Sequence, residues 1–353
     1  MTPRPADVRQ TARQAFGQTS RQSGGQTAPQ RAEPPRLADL AELVRAPAAL
    51  SVVGDTLAGL AAARAGTAVP LRARHLLLPV ASACLYLGGM ALNDYGDRHV
   101  DAVERPERPI PSGRVTPRTA LAVGATLTAG GVAAAGLAGG RRAVAVALPL
   151  AACVWTYDLV AKDRASGPFV MAACRGLDVL LGATPGRMRS ALPAAAGLTA
   201  HTLGVTVLSR GEVHGTTPEV AGVVAAGTVA GAVAVAATVP TAARAVAPAG
   251  APAGTRGVAR TVSPPARWTT VAAAAAYAAA VLPGQVRAAA RPTAANARTA
   301  TRSGIQAMVP LQAAWAARSG GLGTAAVLAG VAAVGQGLRL LGRARGRAGV
   351  SIT

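Results

Sequence analysis

Apolar and polar positions in this chain fall into long blocks, not into the short periods of half-buried strands or surface helices. Runs near 44–63, 75–93, 118–139, 142–157, 168–184, 191–209, 218–239, 266–283 and 321–341 are built mostly of Ala, Val, Leu and Gly. A helix needs about 20 residues, at roughly 1.5 Å each, to cross a hydrocarbon core of about 30 Å. The pattern predicts an all-α polytopic membrane bundle of about nine transmembrane helices. The stretch 303–318, "SGIQAMVPLQAAWAAR", is either a further span or the kinked second half of the eighth helix. Small residues dominate the runs, which lets helix backbones approach closely in lipid.

Composition agrees with the pattern. Hydrophobic residues make up 51% of the 353 and charged ones 14%, where soluble domains carry about 25% charged residues. Residues 1–36 are rich in Gln, Thr, Arg, Pro and Gly without apolar periodicity and are expected to form a disordered tail. The membrane domain is expected over 37–343, followed by a basic tail at 344–353. The N-terminus shows no apolar core of the signal-peptide kind, so the first span is expected to be retained as an anchor.

A formal charge of +21 invites a nucleic-acid reading, but the arginines are scattered over the tail and the gaps between runs. Aromatics are only 3%, so no nucleic-acid partner is expected; anionic headgroups of the lipid bilayer suit the charge better. Basic residues in 94–117, 158–167, 210–217, 284–304 and the tail outnumber those on the other side, although 240–267 carries Arg244, Arg256, Arg260 and Arg267. The positive-inside rule then puts these loops in the cytoplasm and the protein in the cell membrane. Cys84, Cys153 and Cys174 lie far apart inside apolar runs, as buried free thiols do. Oligomeric state is not readable.

One stretch breaks the composition. Asp94, Asp97, Asp101, Glu104 and Glu107 supply five of the fifteen acidic residues within "LNDYGDRHVDAVERPERPIPSGRV". If the second helix continues through them, Asp94, Asp97 and Asp101 share a stripe about 60° wide. Three carboxylates so placed repel one another unless a cation sits between them. Oxygen ligands of this kind suit Mg²⁺, which binds a few carboxylates together with substrate phosphates. Arg98, Arg105, Arg108 and Arg114 suit diphosphate oxygens. The alternative is a solvated loop that happens to be acidic.

"NDYGDRHVD", from Asn93, resembles the NDxxDxxxD motif of the UbiA superfamily of intramembrane prenyltransferases, and "RPERPIPSGRV" resembles the segment that follows it there. "ACRGLDVLLGA" and "LSRGEVHG" look most like the bacterial EboC-like branch. The likeness runs from about Arg45 to the C-terminus and weakens after residue 240. It implies a nine-helix bundle around a lipid-open cavity, with two aspartate-rich loops holding Mg²⁺ and a prenyl diphosphate. It also implies that Tyr157 and Lys162 of "YDLVAKD" contact the diphosphate; a lysine at a helix end can also simply snorkel. Where the family has a second DxxxD-like pair, this chain has "SRGEVHG": Glu212 is its only carboxylate, beside Arg210 and His214. Either Glu212 alone completes the second metal shell, or that site is weakened.

Arg175 and Asp178 are an i, i+3 pair inside a span, and they either lock helices together or contact substrate. Asp55 and His201 are expected to make helix-to-helix hydrogen bonds. The resulting expectation is Mg²⁺-dependent transfer of a prenyl group to an unknown lipophilic, membrane-associated acceptor. Catalysis would rest on Asp94, Asp97 and Asp101, and these with Glu212 would bind metal. Asn93, Arg105, Arg108, Arg114, Tyr157, Lys162, Arg175 and Arg210 would bind substrate. Two alternatives are phosphoribosyl transfer to a prenyl phosphate, and a non-catalytic membrane protein that binds or moves a small apolar metabolite.

Overall fold

The computed structural model describes residues 35–45, 52–65, 67, 70–237 and 263–344. The expected N-terminal tail, apart from its last two residues, and the final nine residues lie outside these, as does much of 240–267. Among the described residues the fold is all-helical, α-helices with short 3-10 and π turns, and no strand. The helices are α1 (Leu37–Leu43), α2 (Val53–Arg64), α3 (Leu77–Glu104), α4 (Pro117–Thr156), α5 (Gly167–Ala183) and α6 (Met188–Ser209). They continue as α7 (Pro218–Ala237), α8 (Pro264–Ala290), α9 (Ala294–Gln306), α10 (Met308–Arg318) and α11 (Leu322–Ala344).

The second apolar run does continue through the acidic stretch: α3 ends only at Glu104, with Arg105 at φ −146°, ψ 60°. Pro106 follows, and a residue before proline is sterically disfavoured in the helical region. The chain re-enters helix at α4, where the Thr116 hydroxyl accepts the Thr119 N–H at 3.1 Å and Pro117 fills the first turn, a favoured start.

α4 is two limbs, not one rod. Gly140 has φ 64° and ψ −150°, a conformation open mainly to glycine, and the chain reverses there. The indole of Trp155 donates to the Thr128 hydroxyl at 3.1 Å across the limbs. Gly124 packs against Gly88 of α3 while Val154 reaches the adjacent Gly89. The two expected spans, 118–139 and 142–157, are these limbs. The 303–318 stretch belongs to a different pair: α9 and α10, broken at Ala307, run back along α8. Ala300 and Ser303 meet Gly284, and Met308, Leu311, Ala314 and Trp315 join the core that includes Ala274, Tyr277 and Val281.

Five helical segments among the described residues are long and apolar enough to cross a membrane: Ala73–Glu104, Pro117–Ala161, Met188–Glu212, Pro218–Ala237 and Pro264–Ala290. Leu137, Phe169, Val223 and Val233 are exposed on the outside of the bundle, a face that lipid rather than water suits. Inside, alanine and glycine let backbones touch. A Cβ on Gly59 of α2 would collide with the Val179 carbonyl of α5, and one on Gly182 with the Thr56 backbone.

The loops after α3, α4, α6 and α8 meet at one end of the bundle. Lys162 pairs with Asp97, and Arg210 donates to the Arg164 carbonyl. The Thr216 N–H reaches the Pro292 carbonyl at 3.1 Å, and Arg298 donates to the Glu212 carbonyl at 2.7 Å.

Candidate active site

At that end α3 presents the aspartate stripe, and the structure places cations between its members. One nitrogen of Arg108, Nη1, lies 2.7 Å from Asp101 Oδ2 and 3.3 Å from Asp94 Oδ1. The two carboxylates are two turns apart on one face and are both buried. Asp94 also accepts from Arg45 Nη2 at 3.1 Å. Arg45 sits just past α1 with φ +48°, a left-handed conformation that costs a non-glycine residue on the order of 1 kcal/mol or more. Its ion pair to Asp94 helps offset that strain.

Asp97, more exposed than its neighbours, pairs with Lys162. The lysine reaches it through a local change of helix type. Tyr157–Ala161 is a π-helical turn, closed by the Lys162 N–H donating to the Tyr157 carbonyl at 3.0 Å. Five positions in an α-helix point about 140° apart; the i→i+5 bond of a π-turn brings them back toward one face. The same turn buries Asp158, whose Oδ1 lies 3.5 Å from Asn93 Nδ2. Gly96 permits the contact: a Cβ there would stand 2.8 Å from the Asp158 carbonyl oxygen and 3.2 Å from Lys162 Nζ.

Below these charges opens a cavity of about 310 Å³. Arg45, Tyr157 and Asp158 stand at its acidic end, Leu85, Met90, Leu150 and Val154 on its walls, and Ser82, Arg175 and Asp178 deeper in. Arg175 pairs with Asp55 of α2 at 2.6 Å, and Asp55 also accepts from Gln312 of α10 at 2.8 Å. Asp178 accepts instead from the Ser82 hydroxyl at 2.7 Å. Arg175 and Asp178 therefore each bond to another helix, not to each other, and both also line the cavity. His201 bridges helices as expected: the Gly304 carbonyl, 3.0 Å from Nε2, can only accept. In the neutral ring Nδ1 then accepts from the Tyr277 hydroxyl at 2.8 Å.

The structure thus brings together Asn93, Asp94, Asp97, Asp101, Arg108, Tyr157 and Lys162. Arg105 is at the rim, half exposed and 3.8 Å from Asp101. Arg98 folds back over the Tyr95 ring at 4.6 Å. Arg114 points elsewhere: it holds Asp39 at 2.6 Å and Glu42 at 2.7 Å, clasping α1 to the loop. Its hydrogen bonds to Glu42 and then Asp39 raise the guanidinium above its ordinary range. Arg210 is exposed and holds the Arg164 carbonyl. The Glu212 carboxylate makes no hydrogen bond or ion pair among the described residues, and no three of their His, Cys, Asp or Glu side chains form a ready-made metal cage. Sequence reasoning passed over Arg45 and Asp158. Asp158 stood in the quoted "YDLVAKD", next to Tyr157, and its burial was the missing signal.

Residues 52–283, well over half the chain, match the UbiA prenyltransferase family. The chain belongs to that family. A digeranylgeranylglyceryl phosphate synthase of Methanopyrus kandleri is 49% identical over 69 residues, 20% of this chain and 22% of that protein. The synthase of the same name from Halobacterium salinarum is 35% identical over 195 residues, 53% of this UbiA-family chain and 66% of the relative. The chain therefore spans less than two thirds of the length of these relatives. A solved structure concerning digeranylgeranylglyceryl phosphate synthase in membranes superposes with a TM-score of 0.52 over 80% of this chain and 98% of its own, at 15% identity. At that identity the likeness shows the UbiA fold alone. Neither relative is named as EboC-like, so that finer branch stands only on the two motifs that suggested it.

Proposed function

We propose that this UbiA-family protein transfers a prenyl group from a prenyl diphosphate to a lipophilic acceptor held in the membrane. The observation that carries the reading is the interleaving of Asp94, Asp97, Asp101 and Asp158 with Arg45, Arg108 and Lys162 at one end of an apolar-walled cavity. The relatives' name, a digeranylgeranylglyceryl phosphate synthase, supports prenyl chemistry on a lipid.

The donor set fits Mg²⁺. It is all carboxylate oxygen, and Mg²⁺ takes one or two carboxylates with waters and substrate phosphates instead of a complete protein cage. Asp94, Asp97, Asp101 and Asp158 would hold it; Glu212, without a partner among the described residues, is the weaker candidate. When bound, the metal neutralises charge building on the leaving diphosphate. Arg45, Arg108 and Lys162 are placed to bind phosphate oxygens and stabilise that same charge. Tyr157 fixes the end of the cavity where the allylic carbon would lie. The apolar walls exclude water, which would otherwise capture the allylic cation. The active-site end is proposed to face the cytoplasm, from the arginine bias.

The test incubates purified protein with Mg²⁺, geranyl or geranylgeranyl diphosphate and a membrane lipid extract. Diphosphate release and a prenylated lipid detected by mass spectrometry are expected. No release with any prenyl diphosphate, while an apolar lipid still co-purifies, would support the non-catalytic carrier instead.

A further inference from the structure

The floor of the cavity is chemically odd for a prenyl chain. Three polar side-chain atoms there, Asp178 Oδ1, Thr202 Oγ1 and Thr301 Oγ1, are buried without a hydrogen-bond partner among the described residues. The residues carrying them are each 4% exposed, and all three belong to the lining of the same cavity. They come from α5, α6 and α9, three different helices, so no single local turn explains them. Buried polar groups are almost always satisfied, and leaving one unpaired costs about 1–3 kcal/mol. In a lipid-facing bundle such groups mark a ligand path more often than a fold requirement.

The depth of Asp178 separates it from the acidic end. Gly89 of α3 lies against Asp158, and Ser82, the partner of Asp178, is seven residues earlier. Seven helical residues span about 10 Å. A diphosphate held by Arg45, Arg108 and Lys162 therefore does not reach the floor, and a purely hydrocarbon tail would leave its three polar atoms unpaired. The deep end offers an anion little: Arg175, the cation lining it, is already engaged by Asp55 at 2.6 Å. An anionic head would have to compete with Asp55 for that guanidinium. A neutral hydroxyl can donate to the carboxylate oxygen and accept from a threonine at once.

We propose that Asp178, held in place by Ser82, forms with Thr202 and Thr301 a subsite for an uncharged hydroxyl group of the acceptor, separate from the diphosphate site. This deepens the prenyltransferase reading and rests on it in taking the cavity as the place where acceptor and prenyl chain meet. The acceptor is then a neutral hydroxylated lipid, oriented by that hydroxyl. The residues of the subsite select and position it.

The test compares two ligands on the full-length protein: 1,2-hexadecanediol and its dimethyl ether, which has the same chain and no donor. Bound fractions are measured by native mass spectrometry at equal ligand concentration. The diol is expected to bind at least about tenfold more tightly to the wild type. That preference should vanish in Thr202→Val/Thr301→Val and in Asp178→Leu. Equal binding of diol and ether to the wild type overturns the proposal, as does an undiminished preference in the threonine double variant. Should Asp178→Leu fail to fold, the wild type and the threonine variant still decide. The outcome is independent of turnover. A diol preference without diphosphate release removes the enzyme reading and keeps the subsite, whereas turnover without a preference removes the subsite alone.

Discussion

Arg108 is the side chain whose loss the geometry prices most directly. Its Nη1 serves two buried carboxylates, Asp101 at 2.7 Å and Asp94 at 3.3 Å. Removing one partner of a buried pair costs about 3–5 kcal/mol, because the remaining charge is stranded. Here neither acid is stranded fully. Asp94 keeps Arg45 at 3.1 Å, and Asp101 keeps Arg105 at 3.8 Å. The latter arginine is half exposed, a class of contact worth at most about 1 kcal/mol. Arg108→Met is therefore expected to destabilise the protein by about 1–3 kcal/mol. Adding Asp101→Asn removes the charge that was left behind and should restore a good part of that loss. The assay is a double-mutant cycle on thermal or denaturant unfolding of the detergent-solubilised protein, with prenyl diphosphate binding measured alongside. Stability is expected to show a coupling of about 1 kcal/mol or more, while binding stays weak in the double variant because the diphosphate contact is still missing. A coupling below about 0.3 kcal/mol would show that Arg108 does not bridge the acids in the folded protein. Full recovery of binding in the double variant would remove Arg108 from substrate contact.

Two further outcomes follow from particular contacts. Asp158→Asn should lower turnover at least about tenfold, equivalent to about 1.4 kcal/mol of transition-state stabilisation, while Glu212→Gln should change it by less than about threefold; steady-state rates in the reverse order would move the second metal contact back to Glu212. Gly182→Ala drives a methyl into the Thr56 backbone and should cost about 1–3 kcal/mol, whereas Gly222→Ala on α7, with nothing within 4 Å of the added carbon, should leave the unfolding midpoint unchanged or slightly raised.

How much of this the sequence disclosed depended on the range of the signal. Block patterning located the helices because lipid demands a long apolar run with every backbone group bonded internally. The aspartate stripe was visible because its i, i+3, i+7 spacing is local to one helix. Partners separated by many residues were not. Arg175 was read with Asp178, three positions away, but its ion pair is to Asp55, 120 positions earlier. Arg114 follows the motif and was assigned to the diphosphate, yet the acids of α1, more than 70 positions upstream, hold it. Asp158 escaped because its role depends on a π-turn, and the insertion of one residue into a helix leaves no mark in the hydrophobic pattern. The reversal at Gly140 was anticipated only as a gap between two runs; its positive φ explains why the gap is so short.

The charges at the acidic end also bear on how such a site persists in a membrane without its ligand. Four carboxylates near the end of a bundle would repel one another strongly in a medium of low dielectric. The structure pairs three of them, Asp94, Asp97 and Asp101, with Arg45, Arg108 and Lys162, the same side chains that the proposed mechanism sends to phosphate oxygens, and gives Asp158 the Asn93 amide. On the proposed function, binding of a metal diphosphate would exchange partners and not create new buried charge. The carboxylates would hold the metal as the arginines and the lysine met phosphate, so each ion would leave one counter-ion only as it met another. This accounts for a feature that a simple metal cage does not: the three cations lie within bonding distance of the acids before any ligand arrives. It also explains why Lys162, on a turn that departs from α-helical geometry, is aimed at Asp97. A lysine in regular helical register would point away from the acid and leave both charges unpaired at the cavity's edge.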